Sequence, residues 1–139
     1  MEEIFIIVPQ DVTLDRVGDV LARHWRLAAG YGTPHVELSP TERAYFVELD
    51  DLSEADLEDL FFEHPDVRET LPERFGDPRI LALRYRSPAL ARDMARAIAS
   101  SELAERPMLL NADGSYLTPR EFVRRLDEDT AGRWLAGPS

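Results

Sequence analysis

Residues 80–126 read ILALRYRSPALARDMARAIASSELAERPMLLNADGSYLTPREFVRRL, and each boundary inside this stretch carries its own start or stop signal. The opening ILALRYR alternates: the leucines and Tyr85 fall on one face, while Ile80, Ala82 and two arginines fall on the other. A period of two is the pattern of a strand whose two faces differ. We therefore predict that the stretch begins with an interior strand of a sheet.

A helix follows this strand, because Ser87 and Pro88 form a specific start signal. The serine hydroxyl can accept a hydrogen bond from an unpaired amide, and proline at the next position removes only an amide that had no partner. Leu90, Met94 and Ile98 repeat every four residues, which gives the helix one apolar stripe. We assign this stripe to the hydrophobic core rather than to a cofactor site.

A hairpin and a second capped helix complete the stretch. The apolar run 108–110 meets Asn111-Ala112-Asp113-Gly114, whose residues tolerate the positive φ of a tight turn, before 115–117 leads away again. Thr118 and Glu121 form a capping box, in which each side chain can satisfy a terminal amide. The side chains that this last helix should turn inward are Phe122, Val123 and Leu126.

This order of elements resembles the C-terminal half of small bacterial immunity proteins that are paired with polymorphic toxins. The features that carry the resemblance are a strand with Tyr85-Arg86, a helix, an apolar strand, the turn at 111–114, the run Glu121-Phe122-Val123 and a late Trp134. They cover roughly residues 80–135. The resemblance implies an α+β protein that binds a toxin and has no catalytic activity of its own.

The earlier part of the chain supplies further elements. In order, we predict a central strand over Ile4–Val8, a helix capped by Thr13 that ends within 28–32, a hairpin of strands 35–38 and 44–49, and a short helix from Ser53 to about Glu63. The 139 residues fit one domain, residues 1–139. The expected fold is α+β, with a mixed or mainly antiparallel sheet of about five strands and three to four helices.

The composition excludes several classes of chemistry. All 16 basic residues are arginine, and the chain has no cysteine, so no catalytic lysine, P-loop lysine, thiolate or disulfide is available. His24, His35 and His64 are scattered and do not form a metal-binding helix pattern. We therefore predict no catalytic residue, no metal and no cofactor. The acidic N-terminus with its short apolar run predicts neither a signal peptide nor a membrane span, so we expect a cytoplasmic protein.

The formal charge of -11 disfavours binding to nucleic acid or to an anionic membrane. Residues 48–77 hold twelve carboxylates and two arginines, a net charge of -10, so the acidity is regional. Within this segment Phe62 lies between acids, about 140° around the helix from Leu57, where a solvated face does not favour an aromatic side chain. Phe62 is either an interface anchor with an acidic rim or is buried beneath the following segment, 64–78. In the second case the acids form a solvated surface that confers only solubility.

Three functional hypotheses result. The first is an immunity protein that occupies the basic active-site cleft of a cognate toxin, and its predicted contact residues are Asp51, Glu54, Asp56, Glu58, Asp59, Phe62, Glu63 and Asp66. The second is a small regulatory domain that binds an anionic metabolite through Arg84 and Arg86, although pairing of these arginines across the sheet is the simpler interpretation. The third is a hydrolase, for which no nucleophile, base and orienting group can be named together.

Overall fold

The computed structural model describes residues 2–30, 33–36, 47–52, 54–63, 65, 78–112 and 115–129. Its strands are β1 Glu2–Pro9, β2 Leu27–Gly30, β3 Thr33–Val36, β4 Val47–Asp51, β5 Pro78–Tyr85, β6 Leu109–Ala112 and β7 Ser115–Leu117. Its helices are α1 Leu14–Ala22, α2 Glu54–Glu63, α3 Pro88–Ala99 and α4 Pro119–Glu128, with a 3₁₀ turn at Glu102–Glu105. The described strands form one seven-stranded sheet in the order β2-β3-β4-β5-β1-β6-β7.

Every strand pair in this sheet is antiparallel, so the predicted α+β class with a mainly antiparallel sheet is confirmed. β1 lies in the interior, as predicted: it pairs with β5 from Glu2↔Tyr85 to Pro9↔Pro78 and with β6 on its other edge. Because successive side chains of a strand point to opposite faces, Ile6 and Ile7 enter two different apolar clusters.

The larger cluster lies between one face of the sheet and helices α1, α3 and α4. The predicted stripe of α3 is buried there, and so are the inward positions of α4, with Val123 half-buried at the margin. The helical members of this core include Val17, Leu21, Leu90, Met94, Ile98, Phe122 and Leu126. Small residues between the larger ones, Ala91 and Ala95, let α3 approach the sheet closely.

The predicted starts of α3 and α4 are confirmed atom by atom, whereas Ser53, the predicted start of α2, lies outside the described residues. The Leu90 amide donates to Ser87 Oγ at 3.3 Å. At α4, the Glu121 amide donates to Thr118 Oγ1 at 3.3 Å, while the Thr118 amide donates to Glu121 Oε1 at 3.2 Å, which completes the capping box. The predicted hairpin between these helices is also present, because β6 and β7 pair with Ala112 opposite Ser115.

The first third of the chain differs from the prediction in two respects, a shorter first helix and one added strand. α1 ends at Ala22, whereas we expected it to continue to residues 28–32. The amide of Trp25 bonds back to the carbonyl of Leu21 as the helix closes, and Leu27–Gly30 then pairs with β3 as an edge strand. β3 and β4 pair as the predicted hairpin, with its turn at 39–42 outside the described residues. The added strand is one reason that the sheet exceeds the expected number of about five.

Two ion pairs fasten the 3₁₀ turn to the start of the fold. At one end, Arg23 forms an ion pair with Glu102, in which Nη1 donates to Oε2 at 2.9 Å. This hydrogen bond lowers the pKa of the Glu102 carboxyl to about 2. At the other end, Arg106 donates to Asp11 from Nη1 at 2.5 Å and from Nη2 at 2.8 Å, which lowers the pKa of Asp11. Both pairs have the two-point geometry that suits a guanidinium and a carboxylate.

Candidate partner-binding surface

Helix α2 lies on the second face of the sheet, opposite α1, α3 and α4. That face carries a small buried cluster of Ile7, Ile80 and Leu109, against which Phe61 of α2 and Leu52 just before it pack. The Leu52 amide also donates to the Ile80 carbonyl at 3.0 Å, so the chain enters α2 from a fixed point on the sheet. The side of α2 that faces the sheet therefore attaches the helix, and its other side is available to solvent.

A polar network stabilises the C-terminal end of β4, the strand that precedes α2. Arg79 pairs with Asp51 and also donates to the backbone and side-chain oxygens of Gln10, each at 3.2 Å. Gln10 in turn donates to the Pro78 carbonyl at 3.0 Å. Asp51, one of the predicted contact residues, thus has an internal role in positioning the site. The sequence carries no local signal for this network, because its members come from three distant segments.

Phe62 points away from this anchor. It is 88% exposed, and among the side chains whose burial the structure describes it is the one large hydrophobic residue in the exposed class. Of the two alternatives left open by the sequence, burial beneath the following segment is therefore wrong for this residue. Leaving a phenylalanine in water forfeits the free energy that its burial would contribute, about 1.5–3 kcal/mol.

The surroundings of Phe62 are acidic. Glu58 and Asp59 lie four and three residues earlier, which places them beside Phe62 on the helix surface, and Glu63 follows it; all three are exposed. α2 contains no basic residue, so no pair within the helix neutralises these charges. A carboxylate at the helix C-terminus opposes the helix dipole, so Glu63 does not serve helix stability.

For the remaining predicted contact residues the structure gives helix positions at most. Glu54 and Asp56 belong to the first turn of α2, and their helical positions continue the acidic sequence of this element. Asp66 lies outside the described residues. The geometry therefore brings Glu58, Asp59, Phe62 and Glu63 together, and we call these four residues the acidic α2 face.

The arginines proposed for an anionic ligand do not act as a pair. Arg84 lies between two carboxylates of neighbouring strands, with Nε 3.4 Å from Glu3 Oε1 and Nη1 3.0 Å from Asp50 Oδ2. This confirms the interpretation that Arg84 pairs across the sheet. Arg86 is exposed beyond the end of β5. An anionic ligand at Arg84 would therefore have to displace the two carboxylates that already pair with the Arg84 guanidinium.

The described residues offer no metal-binding group, and their histidines have other surroundings. Within them, no three of the His, Cys, Asp and Glu side chains are grouped so that they could hold a metal ion. His24 packs edge-on to Trp25, with ring centroids 5.5 Å apart, so it is a surface stacking residue. His64 lies outside the described residues.

None of the helices in the described ranges combines the length and the apolar character needed to cross a membrane. In comparisons with known proteins, no family model, no curated protein and no solved structure matches the chain.

Proposed function

We propose that this protein is an immunity protein that binds and inhibits a cognate bacterial toxin through the acidic α2 face. The observation that carries the proposal is Phe62, an 88% exposed aromatic residue with Glu58 and Asp59 beside it on the helix. An apolar anchor surrounded by charge is the arrangement of a protein interface with a hot spot and a polar rim.

The partner is expected to have a basic cleft with an apolar socket. Toxins that act on nucleic acids or nucleotides bind phosphate through lysine and arginine, and carboxylates on α2 can occupy such a cleft instead. The uncompensated charge of the segment 48–77 would accelerate the encounter, because an extended field of one sign steers an oppositely charged partner. Phe62 would then slow dissociation by filling the socket.

The fold supports this role because contacts with the sheet fix the position of α2. Phe61 and Leu52 fix the helix to the cluster on the sheet, and the Arg79–Asp51 pair fixes the strand that precedes it. A surface that is already ordered loses less conformational entropy on binding, which favours tight association. Inhibition by occupancy requires no nucleophile, base or cofactor.

The test begins with the open reading frame immediately upstream, which the proposal expects to encode a toxin domain with a basic cleft. Expression of that domain in a bacterial host should arrest growth, and co-expression of this protein should restore it. Purified protein should also inhibit the toxin's reaction at a one-to-one or similar stoichiometric ratio, because it acts by occupancy. Growth arrest that this protein does not relieve would contradict the proposal.

A charge-matched control distinguishes the acidic α2 face from general acidity. The variant E58R/D59R reverses two charges on that face, whereas D93R/E105R reverses two exposed charges on the helical side of the sheet. Net charge is the same in both variants. E58R/D59R should lose protection against the toxin, and D93R/E105R should retain it. Equal loss in both variants would show that net charge, and not the acidic α2 face, is responsible.

A further inference from the structure

A groove on the helical side of the sheet is separate from the acidic α2 face. It has a volume of about 650 Å³ and lies where the end of α3 and the 3₁₀ turn meet α4. Small-molecule sites commonly measure about 300–1,000 Å³, so the groove has room for a compact ligand. Its apolar floor is formed by Ala99, Ala104 and Val123, and its polar members include Arg120 and Arg124.

The carboxylates near this groove already have partners. Asp127, which also lines the groove, accepts a hydrogen bond from Arg96 Nη1 at 2.6 Å. Glu121 is held in the capping box, where its Oε1 accepts from the Thr118 hydroxyl at 2.8 Å and from the Thr118 amide. These carboxylates are therefore less available to neutralise the arginines of the groove.

The two arginines of the groove, Arg120 and Arg124, form few ion pairs or hydrogen bonds within the protein. Arg120 and Arg124 are four residues apart, so their side chains leave the same side of α4 about one turn from each other. Arg124 Nε reaches Glu128 Oε1 at 4.0 Å with both side chains more than 70% exposed, which is an ion pair of little strength. Within the described part of the chain, the Arg120 guanidinium makes no hydrogen bond or ion pair.

We propose that this groove binds a small organic anion with an apolar body. The anionic group, a phosphate or carboxylate, would lie between the guanidiniums of Arg120 and Arg124, which present several N–H donors to such oxygens. The apolar body would cover Ala99, Ala104 and Val123. The N-terminal end of α4 adds a favourable dipole for negative charge. The sheet separates this site from α2, so the inference goes beyond partner binding and does not depend on it.

Phenyl phosphate and inorganic phosphate are suitable probes, because they share the anionic group and differ in the apolar body. Titration of the full chain, followed by amide chemical shifts, should show saturable binding of phenyl phosphate with the largest changes at 99–104 and 118–124. Inorganic phosphate should bind at least about tenfold more weakly, because it leaves the apolar floor uncovered. Equal affinity for the two probes would overturn the proposed ligand class.

Three variants test the named residues. R120Q/R124Q should weaken phenyl phosphate at least about tenfold, since it removes two charged donors. V123S should weaken phenyl phosphate and leave inorganic phosphate unchanged. The control R26A removes an exposed arginine outside the groove and should leave both affinities unchanged.

Two outcomes would overturn the site. They are shifts that do not saturate, and an R26A effect as large as that of R120Q/R124Q; each indicates diffuse ion pairing with a surface. Melting curves of every variant accompany the titrations. If the double variant is less stable, the single variants R120Q and R124Q replace it. Each must weaken phenyl phosphate binding more than R26A does, or the assignment fails.

Discussion

Phe61 and Phe62 are adjacent in the chain but lie in different environments on α2. Phe61 packs against the cluster of Ile7, Ile80 and Leu109, whereas Phe62 is 88% exposed. One phenylalanine therefore attaches the helix to the sheet, and its neighbour is left in water among carboxylates. This division separates the stability of the site from its proposed recognition role.

The two residues should respond differently to truncation. Phe61→Ala removes half-buried contacts with the sheet and should lower the free energy of unfolding by about 1–3 kcal/mol. Phe62→Ala removes an exposed side chain and should change it by no more than about 0.5 kcal/mol. Urea denaturation of both variants checks this, each acting as the control for the other. Equal losses would show that Phe62 is buried after all.

The large core should depend on Met94, which is fully buried at the centre of the α3 stripe. Met94→Ala removes apolar contacts and leaves a cavity, so we expect a loss of about 2–5 kcal/mol in the free energy of unfolding. Ala89→Ser, on the exposed side of the same helix, is the control and should stay within about 0.5 kcal/mol of wild type. A Met94→Ala change as small as that of the control would contradict the placement of α3.

The Arg23–Glu102 pair should make stability depend on acid pH. The pKa of Glu102 is lowered to about 2 in the folded protein from an ordinary value of 4.5, so the pair stabilises the fold above pH 4.5 and loses its effect as pH falls through 2. The melting temperature of wild type should therefore exceed that of E102Q near neutral pH, and the difference should vanish towards pH 2. The pair is exposed, so the difference should be small and should shrink in high salt.

A difference that grows as the pH falls would have the wrong sign for this explanation. Asp11 also has a lowered pKa, through Arg106, and it is unchanged in E102Q. Comparison of wild type with E102Q at each pH therefore isolates the contribution of Glu102.

The acidic residues of α2 should act mainly on the rate of association. E58R/D59R should slow association with the toxin and flatten its dependence on salt, because long-range steering is lost while the rest of the interface remains. D93R/E105R, the charge-matched control, lies on the opposite side of the sheet and should have a much smaller effect. Stopped-flow or biosensor measurements over a series of salt concentrations provide the test. Identical salt slopes for wild type and E58R/D59R would contradict steering by this face.

Local signals predicted the second half of the fold well, for a physical reason. The caps at Ser87 and at Thr118–Glu121 are made within four residues of chain, so sequence spacing is sufficient to identify them. β2 was missed because Leu27-Ala28-Ala29-Gly30 has little strand propensity of its own, and pairing with β3 determines its conformation.

The candidate site was predicted only in outline. Helical periodicity placed Phe62 among the acids, but two conformations of its surroundings fitted the same sequence, and the structure was needed to distinguish them. Ion pairs between distant segments, such as Arg79–Asp51 and Arg84–Asp50, depend on strand order and register. No local spacing encodes that information.

The most direct test measures stability and toxin affinity on the same sample of Phe62→Ala. We predict that its melting temperature matches wild type while dissociation from the toxin accelerates, with a loss of binding free energy of about 2 kcal/mol or more. The measurement requires one purified preparation, divided between a thermal melt and a biosensor with the toxin domain immobilised. A lowered melting temperature with unchanged toxin affinity would contradict the account, because Phe62 would then stabilise the fold and the acidic α2 face would be a solvated surface.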